Sequence, residues 1–444
     1  MRSWWLVLLS LMVCTPLFAQ DVEVTLRITG EQVKMENMAI PDFPVQEDGP
    51  GFQQAAKTLA EVLRQDIVNS GVFRLLGKER IALMPSPHGG APIDFDQWTS
   101  IEAQFLVVGS IKRGDGEEMR VEVRLFEISS QGQVLAKAYR SKPGLARKMG
   151  HVIADEILFL LKGRKFATSK IIYAYEAERS TDNRLLKELY IMDYDGHNAL
   201  PLTKRGISFA PSAVRKGRDT LLAYSRFSKA GTIDASYGIA FKPTLASRPK
   251  PLLDQAGLRA SAPAISPDGK RILFSMAKEG NVDVYVMDLN GNDAFRLTRH
   301  PAVDTNPSWS PGGHAILYTS DRNGSPQVYR MDADGLNNMR LTRENPYNDS
   351  AVWNPVHDYI AYVSRFENDF DIFIMDLKSG QNYRVTRRQG SNEDPSWSPD
   401  GEQLAFTSNR TGTWQIYLVN LNGMNLRQIT NQGNNRAPVW VAGD

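Results

Sequence analysis

The chain has 444 residues, 42% of them hydrophobic and 23% charged, with 52 Lys plus Arg against 50 Asp plus Glu. This balance supplies enough apolar mass for large cores and excludes a wholly disordered or fibrous chain, and a net charge of +2 offers no broad basic surface for nucleic acid. A single cysteine excludes an internal disulfide and an all-thiolate metal site. The length predicts two or more domains.

The first residues, Met1-Arg2-Ser3, carry positive charge, and Trp4 to Val13 is apolar apart from Ser10. Leu17-Phe18-Ala19 then precedes polar Gln20-Asp21. The pattern predicts a secretory signal peptide over residues 1–19 with cleavage after Ala19, because the apolar run is too short to span a bilayer. Cys14 follows Val13, which is not the small residue that lipidation requires. The mature chain is thus expected to carry no cysteine, which suits an oxidising compartment.

Residues 20–163 are expected to form an α+β domain. Val22, Val24, Leu26 and Ile28 alternate with polar residues, as in a strand. Phe52, Ala55, Leu59, Val62, Leu63 and Ile67 follow helical spacing up to Gly71. Phe105–Ile111, Arg120–Ile128 and Val134–Tyr139 read as a meander with a turn at Gly114-Asp115-Gly116. Leu145, Met149, Val152, Ile153, Ile157 and Leu160 form a second amphipathic helix closed by Gly163. Residues 164–170 read as a short basic linker.

Residues 171–444 repeat themselves. Pro263-Ala-Ile-Ser-Pro-Asp-Gly269 returns as Pro307–Gly313, Ala351–His357 and Pro395–Gly401, each 44 residues on. Thr298, Thr342, Thr386 and Thr430 keep the same step, as do Asp288, Asp332, Asp376 and Asn420. Each copy reads as four short antiparallel strands, which is a β-propeller blade. Asn290-Gly291, Asp334-Gly335, Ser379-Gly380 and Asn422-Gly423 are expected to make two-residue hairpin turns. Ile171 to Thr203 lacks a first strand, and Arg436–Val441 is a first strand with nothing after it. The two are expected to complete one blade and close a six-bladed ring, with residues 208–254 as a degenerate blade carrying an insertion of about eight residues.

No Gly-x-Ser-x-Gly elbow and no His-Glu-x-x-His helix occurs. His300, His314 and His357 lack matched spacing, and Asp193-Tyr-Asp-Gly and Asp332-Ala-Asp-Gly lack the remaining ligands of a calcium loop, so turns are favoured over metal sites. Trp309, Trp353, Trp397 and Trp440 lie in innermost strands, where packing between blades is favoured over stacking on a sugar. The pattern therefore predicts no catalytic residue, no metal and no cofactor. Polar loops entering the first strands converge on one mouth of the channel. They carry Arg259, Ala262, Thr305, Asn306, Asp349, Glu393, Asn435 and Arg436. Solvated turns and a docking face explain them equally well.

The signal peptide, small α/β domain, short linker and blades with Pro-Ser-Trp-Ser-Pro-Asp-Gly and Val-Tyr-x-Met-Asp signatures resemble the TolB family, the periplasmic component of the Tol–Pal cell-envelope system. The segment from His151-Val-Ile-Ala-Asp-Glu-Ile through Thr168 to Tyr173 carries the likeness further than the repeat, which peptidase-associated propellers share. The resemblance implies a non-catalytic adaptor in the periplasm. It implies binding of the lipoprotein Pal at the propeller mouth, with Arg259, Ala262, Thr305 and Asn306 as the carried-over positions. It also implies binding of TolA at the mature N-terminus, here Asp21, Val22, Glu23 and Val24, and a part in outer-membrane integrity and constriction during cell division. The alternatives are a secreted propeller enzyme, a lyase or peptidase relative acting at the channel mouth, and an envelope sugar-binding protein.

Overall fold

The computed structural model describes residues 35–47, 49–85, 92–177, 186–204, 206–228, 236–255, 257–387 and 389–443. The expected signal peptide, the strand at Val22–Ile28 and the partner segment Asp21–Val24 lie outside the described residues.

The N-terminal part is one mixed sheet. Its order is Phe73–Leu75, Glu36–Ala39, Phe105–Arg113, Met119–Glu127 and Gly132–Ser141, with the first three parallel and the meander antiparallel. Helices Phe52–Asn69 and Ala146–Lys162 share a core with one face of that sheet. Leu59, Leu63 and Ile67 meet Ile153, Ile157 and Leu158 there, together with Val107, Val121 and Val123. A Cβ on Gly150 would stand 2.9 Å from Val62 Cγ1 and 3.1 Å from the Leu59 carbonyl oxygen, so the close helix crossing requires glycine at that point. Gly163 ends the second helix at φ 69°. On the other face, Trp98 packs with Leu106, Val108 and Phe126.

Six four-stranded blades follow. The first joins Asn434–Val441 to Lys170–Glu176, Lys187–Asp193 and Leu200–Pro201, and Trp440 pairs with Ile171 across the joint. The second begins at Ile207, one residue before the expected span, and the third begins at Arg259. The fourth, fifth and sixth are separate sheets beginning at Asp304, Asn348 and Asn392.

The threonine anchors have a physical reason. Thr342 Oγ1 donates to Gln327 Oε1 at 2.8 Å and accepts from the Val328 N–H at 2.9 Å, and Asn348 Nδ2 donates to the same Gln327 oxygen at 2.9 Å. Thr386 with Asp371 and Asn392, and Thr430 with Gln415 and Asn435, repeat the arrangement. Each cluster ties the third strand of one blade to the first strand of the next through buried hydrogen bonds. Such bonds are costly to leave unmade and so fix the register between blades.

The expected two-residue hairpins are longer turns. In the fourth blade the third strand ends at Asp332 and the fourth begins at Met339. The Gly335 N–H closes onto the Asp332 carbonyl at 2.9 Å with Gly335 at φ 88°, and a second left-handed residue, Asn337, follows at φ 55°. The Gly satisfies the turn as expected, but the extra residues carry the short outer strand away from a tight hairpin.

The N-terminal part sits on the face that carries these turns and the Ser-Pro-Asp-Gly turns. Arg164 Nε reaches Asp400 at 2.9 Å while Arg164 Nη1 donates to the Ser70 carbonyl at 2.9 Å. Tyr194, fully buried, takes a hydrogen bond from Asn69 at 2.9 Å and donates to Asp66. The linker is not a free tether. Phe166 and Ala167 are buried, and both donate their N–H groups to Asp155 Oδ1, at 2.8 and 2.7 Å. The starts of the first strands therefore open on the opposite face, away from the N-terminal part.

Candidate partner-docking surface

Every first strand is broken by a register shift near its start, as between Ser261 and Ala264, Thr305 and Ser308, Asp349 and Val352, Glu393 and Ser396, and Arg436 and Val439. At each break one non-glycine residue is left-handed. The six are Ala210, Ala262, Asn306, Ser350, Asp394 and Ala437, with φ between 46° and 55°. Each precedes Pro or Ala in the repeat, and the bulge turns the chain so that these residues line a channel of about 670 Å³ down the ring axis. Left-handed geometry is tolerated best by Asn and Asp and costs Ala more, so six copies of it mark a ring built for its shape.

The structure corrects the expected placement of the mouth residues. Arg259, Ala262, Thr305, Asn306, Asp349, Glu393, Asn435 and Arg436 lie within the first strands, not in the loops before them. Period-two reasoning missed this because the bulge interrupts the alternation. Four of these residues form two bridges between blades. Asn306 Nδ2 donates to Asp349 Oδ1 at 2.9 Å, which also accepts from Thr319 Oγ1 at 2.6 Å, and Arg436 pairs with Glu393. The Arg436 guanidinium also lies 4.0 Å from the centre of the Trp414 ring. Thr305 is half-buried beside Asn306. Asn435 is different: it is buried and spends its amide on Gln415 and Gln432, so it supports the blade and presents nothing to a partner.

Arg259 and Ala262 stand on the other side of the ring. Arg259 is exposed and bridges to Tyr237, whose ring packs on Phe227 at 4.6 Å and Phe209 at 6.1 Å. This aromatic cluster was not apparent in the sequence, because the second blade departs from the period that aligns the others. Ser350 and Asp394 take the same left-handed position in the fifth and sixth blades that Asn306 takes in the fourth, one repeat step apart.

Burial raises the pKa of Glu393 above its ordinary value; Arg436 opposes that rise, and Asp394 and Asp349 reinforce it. An acid held up in this way favours its protonated form when folded. Its contribution to stability is therefore greatest at low pH and is lost as pH rises from the ordinary carboxylate range through the folded value. Replacing Arg436 by Gln removes the opposing charge, and the Glu393 midpoint in a carboxyl NMR titration is expected to move further up. A midpoint that stays where it was would show that the ion pair does not govern this group.

Trp309, Trp397 and Trp440 are buried. Trp309 Nε1 reaches the Ala264 carbonyl at 3.0 Å and Trp397 Nε1 the Val352 carbonyl at 3.2 Å, each on the preceding blade. Trp309 and Trp397 are thus spent on contacts between blades, while Trp440 stacks on Tyr194. Trp353 is half-buried, and its Nε1 has no hydrogen-bond partner.

This architecture defines a six-bladed propeller whose open mouth is polar on one side and aromatic with arginine on the other, carrying a small mixed-sheet domain on the opposite face. A family model described as the TolB beta propeller domain matches residues 160–372 and 365–444, and one described as the TolB amino-terminal domain matches residues 24–134. The chain belongs to the TolB family. It is 33% identical over 322 residues to the Tol-Pal system protein TolB of Anaeromyxobacter dehalogenans strain 2CP-1, covering 69% of this chain and 67% of that one. It is 33% identical over 275 residues to the protein of the same name from strain 2CP-C, covering 59% and 57%. The chain thus spans 57% to 67% of the length of these curated relatives. The crystal structure of TolB from Acinetobacter baumannii superposes with a TM-score of 0.77 at 24% identity, over 94% of this chain and 98% of that one, which shows a shared fold. Among the described residues, no helix is long and apolar enough to cross a membrane.

Proposed function

We propose that this chain is a non-catalytic adaptor of the Tol-Pal system in the periplasm. It receives a Pal-type peptidoglycan-associated lipoprotein at the propeller mouth and TolA at the segment Asp21–Val24, and through them supports outer-membrane integrity and constriction during division. The observation that carries this reading is the mouth itself. Arg259 stands exposed beside Tyr237, with Phe209 and Phe227 behind it, while the Asn306–Asp349 and Arg436–Glu393 bridges hold a polar rim on the other side. Arginine next to packed aromatics is the composition that dominates binding energy at protein interfaces, and a preformed rim needs little ordering. Names of curated relatives as Tol-Pal system proteins support the same reading.

Arg259→Glu tests it. The side chain is exposed, so folding stability should change by less than ~0.5 kcal/mol. Affinity for the soluble domain of the lipoprotein, read by calorimetric titration, should fall by ~2 kcal/mol or more. A folded triple variant Arg259→Glu, Thr305→Ala, Asn306→Ala that binds as the parent does would remove the mouth from the interface.

A further inference from the structure

We propose that the junction between the N-terminal part and the propeller holds a divalent cation of the zinc class on His151 Nε2 and the carboxylates of Asp193 and Asp195. Donor atoms of these three residues lie within 4.8 Å of one another. His151 comes from helix Ala146–Lys162, and the two aspartates come from the end of a first-blade strand and its turn. The cation would therefore staple the two parts together.

Three features point to a ligand rather than to charged residues that happen to meet. His151 is only 4% exposed, yet its Nε2 has no hydrogen-bond partner and faces Asp195 Oδ2 at 3.7 Å, beyond hydrogen-bond reach. Its Nδ1 lies 2.7 Å from Asp66 Oδ2, and Asp66, 1% exposed, is itself held by Tyr194. A carboxylate at Nδ1 orients the ring and, in the neutral ring, leaves the Nε2 lone pair for a ligand, which is the outer-shell arrangement of metal-binding histidines. The neighbouring His197 side chain, 60% exposed, lies 3.3 Å from the other Asp195 oxygen, so solvent reaches the edge of the site.

One imidazole nitrogen with two carboxylates, and water in a fourth position, suits Zn²⁺, whereas Ca²⁺ and Mg²⁺ prefer oxygen alone. The carboxylates carry counter-ions, Arg147 on Asp195 and Lys170 on Asp193, and Asn198 donates to Asp193 at 2.7 Å. Arg147 shares the Asp195 oxygen that faces His151, so the cation enters by displacing it. Partial exposure of the Arg147 and Lys170 side chains lets both swing to water. The spacing in sequence hides the site, because His151 and the aspartates belong to different parts of the fold.

The test is calorimetric titration of zinc chloride into the chelator-treated mature protein. One saturable zinc per chain is expected. Asp195→Asn should abolish it, and Asp66→Asn, which weakens the support behind His151 without touching a ligand, should weaken it ~10–100-fold. Anomalous diffraction from zinc-loaded crystals of the parent protein needs no variant, and should place the ion ~2.0–2.2 Å from His151 Nε2 and from a carboxylate oxygen. Absence of saturable uptake, uptake unchanged in Asp195→Asn, or an ion located elsewhere would each overturn the proposal. His151 would then be an imidazolium bridging Asp66 and Asp195.

Discussion

Trp440→Ala is expected to destabilise the protein by ~3–5 kcal/mol, the usual cost of emptying a buried tryptophan site. Trp440 is buried, stacks on Tyr194 with ring planes 12° apart, and donates its indole N–H to Ser169 Oγ at 2.6 Å. Its own backbone N–H reaches Ser396 Oγ of the sixth blade at 2.9 Å. One residue thus joins the last blade, the first blade and the Tyr194 contact with the N-terminal part. The alanine variant loses the packing and leaves Ser169 without its donor. Removing residues 434–444 should cost more, because Lys170–Glu176 loses one of its two antiparallel partners and becomes an open strand edge prone to association. Denaturant midpoints and sedimentation of both variants read these effects. A Trp440→Ala midpoint within ~0.5 kcal/mol of the parent would mean that the closing strand contributes little to stability.

Asp155→Ala is expected to have the second large effect, ~3–5 kcal/mol, which is the range for breaking a buried charged network by removing one partner. The Asp155 carboxylate accepts the N–H groups of Phe166, Ala167 and Thr168 and the Thr168 hydroxyl, at distances of 2.6 to 2.9 Å. It therefore satisfies three consecutive backbone donors in a linker whose Phe166 side chain is buried against Tyr194, with ring centres 5.1 Å apart. Without it those N–H groups are left unpaired, each at a cost of ~1–3 kcal/mol unless water reaches it. Hydrogen exchange at residues 166–168 should accelerate together with a lowered thermal midpoint. Protection that survives in Asp155→Ala would show that apolar packing alone holds the linker.

The repeat made the propeller legible, because a 44-residue step with several anchors cannot be satisfied by unrelated local structure. Both long helices were legible for a similar reason: each buries an apolar stripe at helical spacing and ends at or next to a left-handed glycine, Gly71 or Gly163. Short parallel strands such as Glu36–Ala39 and Phe73–Leu75 were not, since three or four residues show no period and their partners are distant in sequence. The mouth was half legible. Stepping by the repeat finds Asn306, Ser350 and Asp394, but no spacing shows that a bulge turns them into the channel. Asn435 reads as a mouth residue in the sequence and is a buried support in the fold, because its amide is spent on the Gln415 side chain and the Gln432 carbonyl.

By itself the sequence determined the blade count, the amphipathic helices and the strand that completes the ring, all of which follow from local periodicity and composition. Only the tertiary structure decided what crosses between distant segments: the linker wrapped on Asp155, the aromatic cluster beside Arg259, and the meeting of His151 with Asp193 and Asp195. The physical reason is that periodicity records which face of an element is buried. The identity of the atoms across that face is set by packing between elements, and one chain's spacing does not encode it.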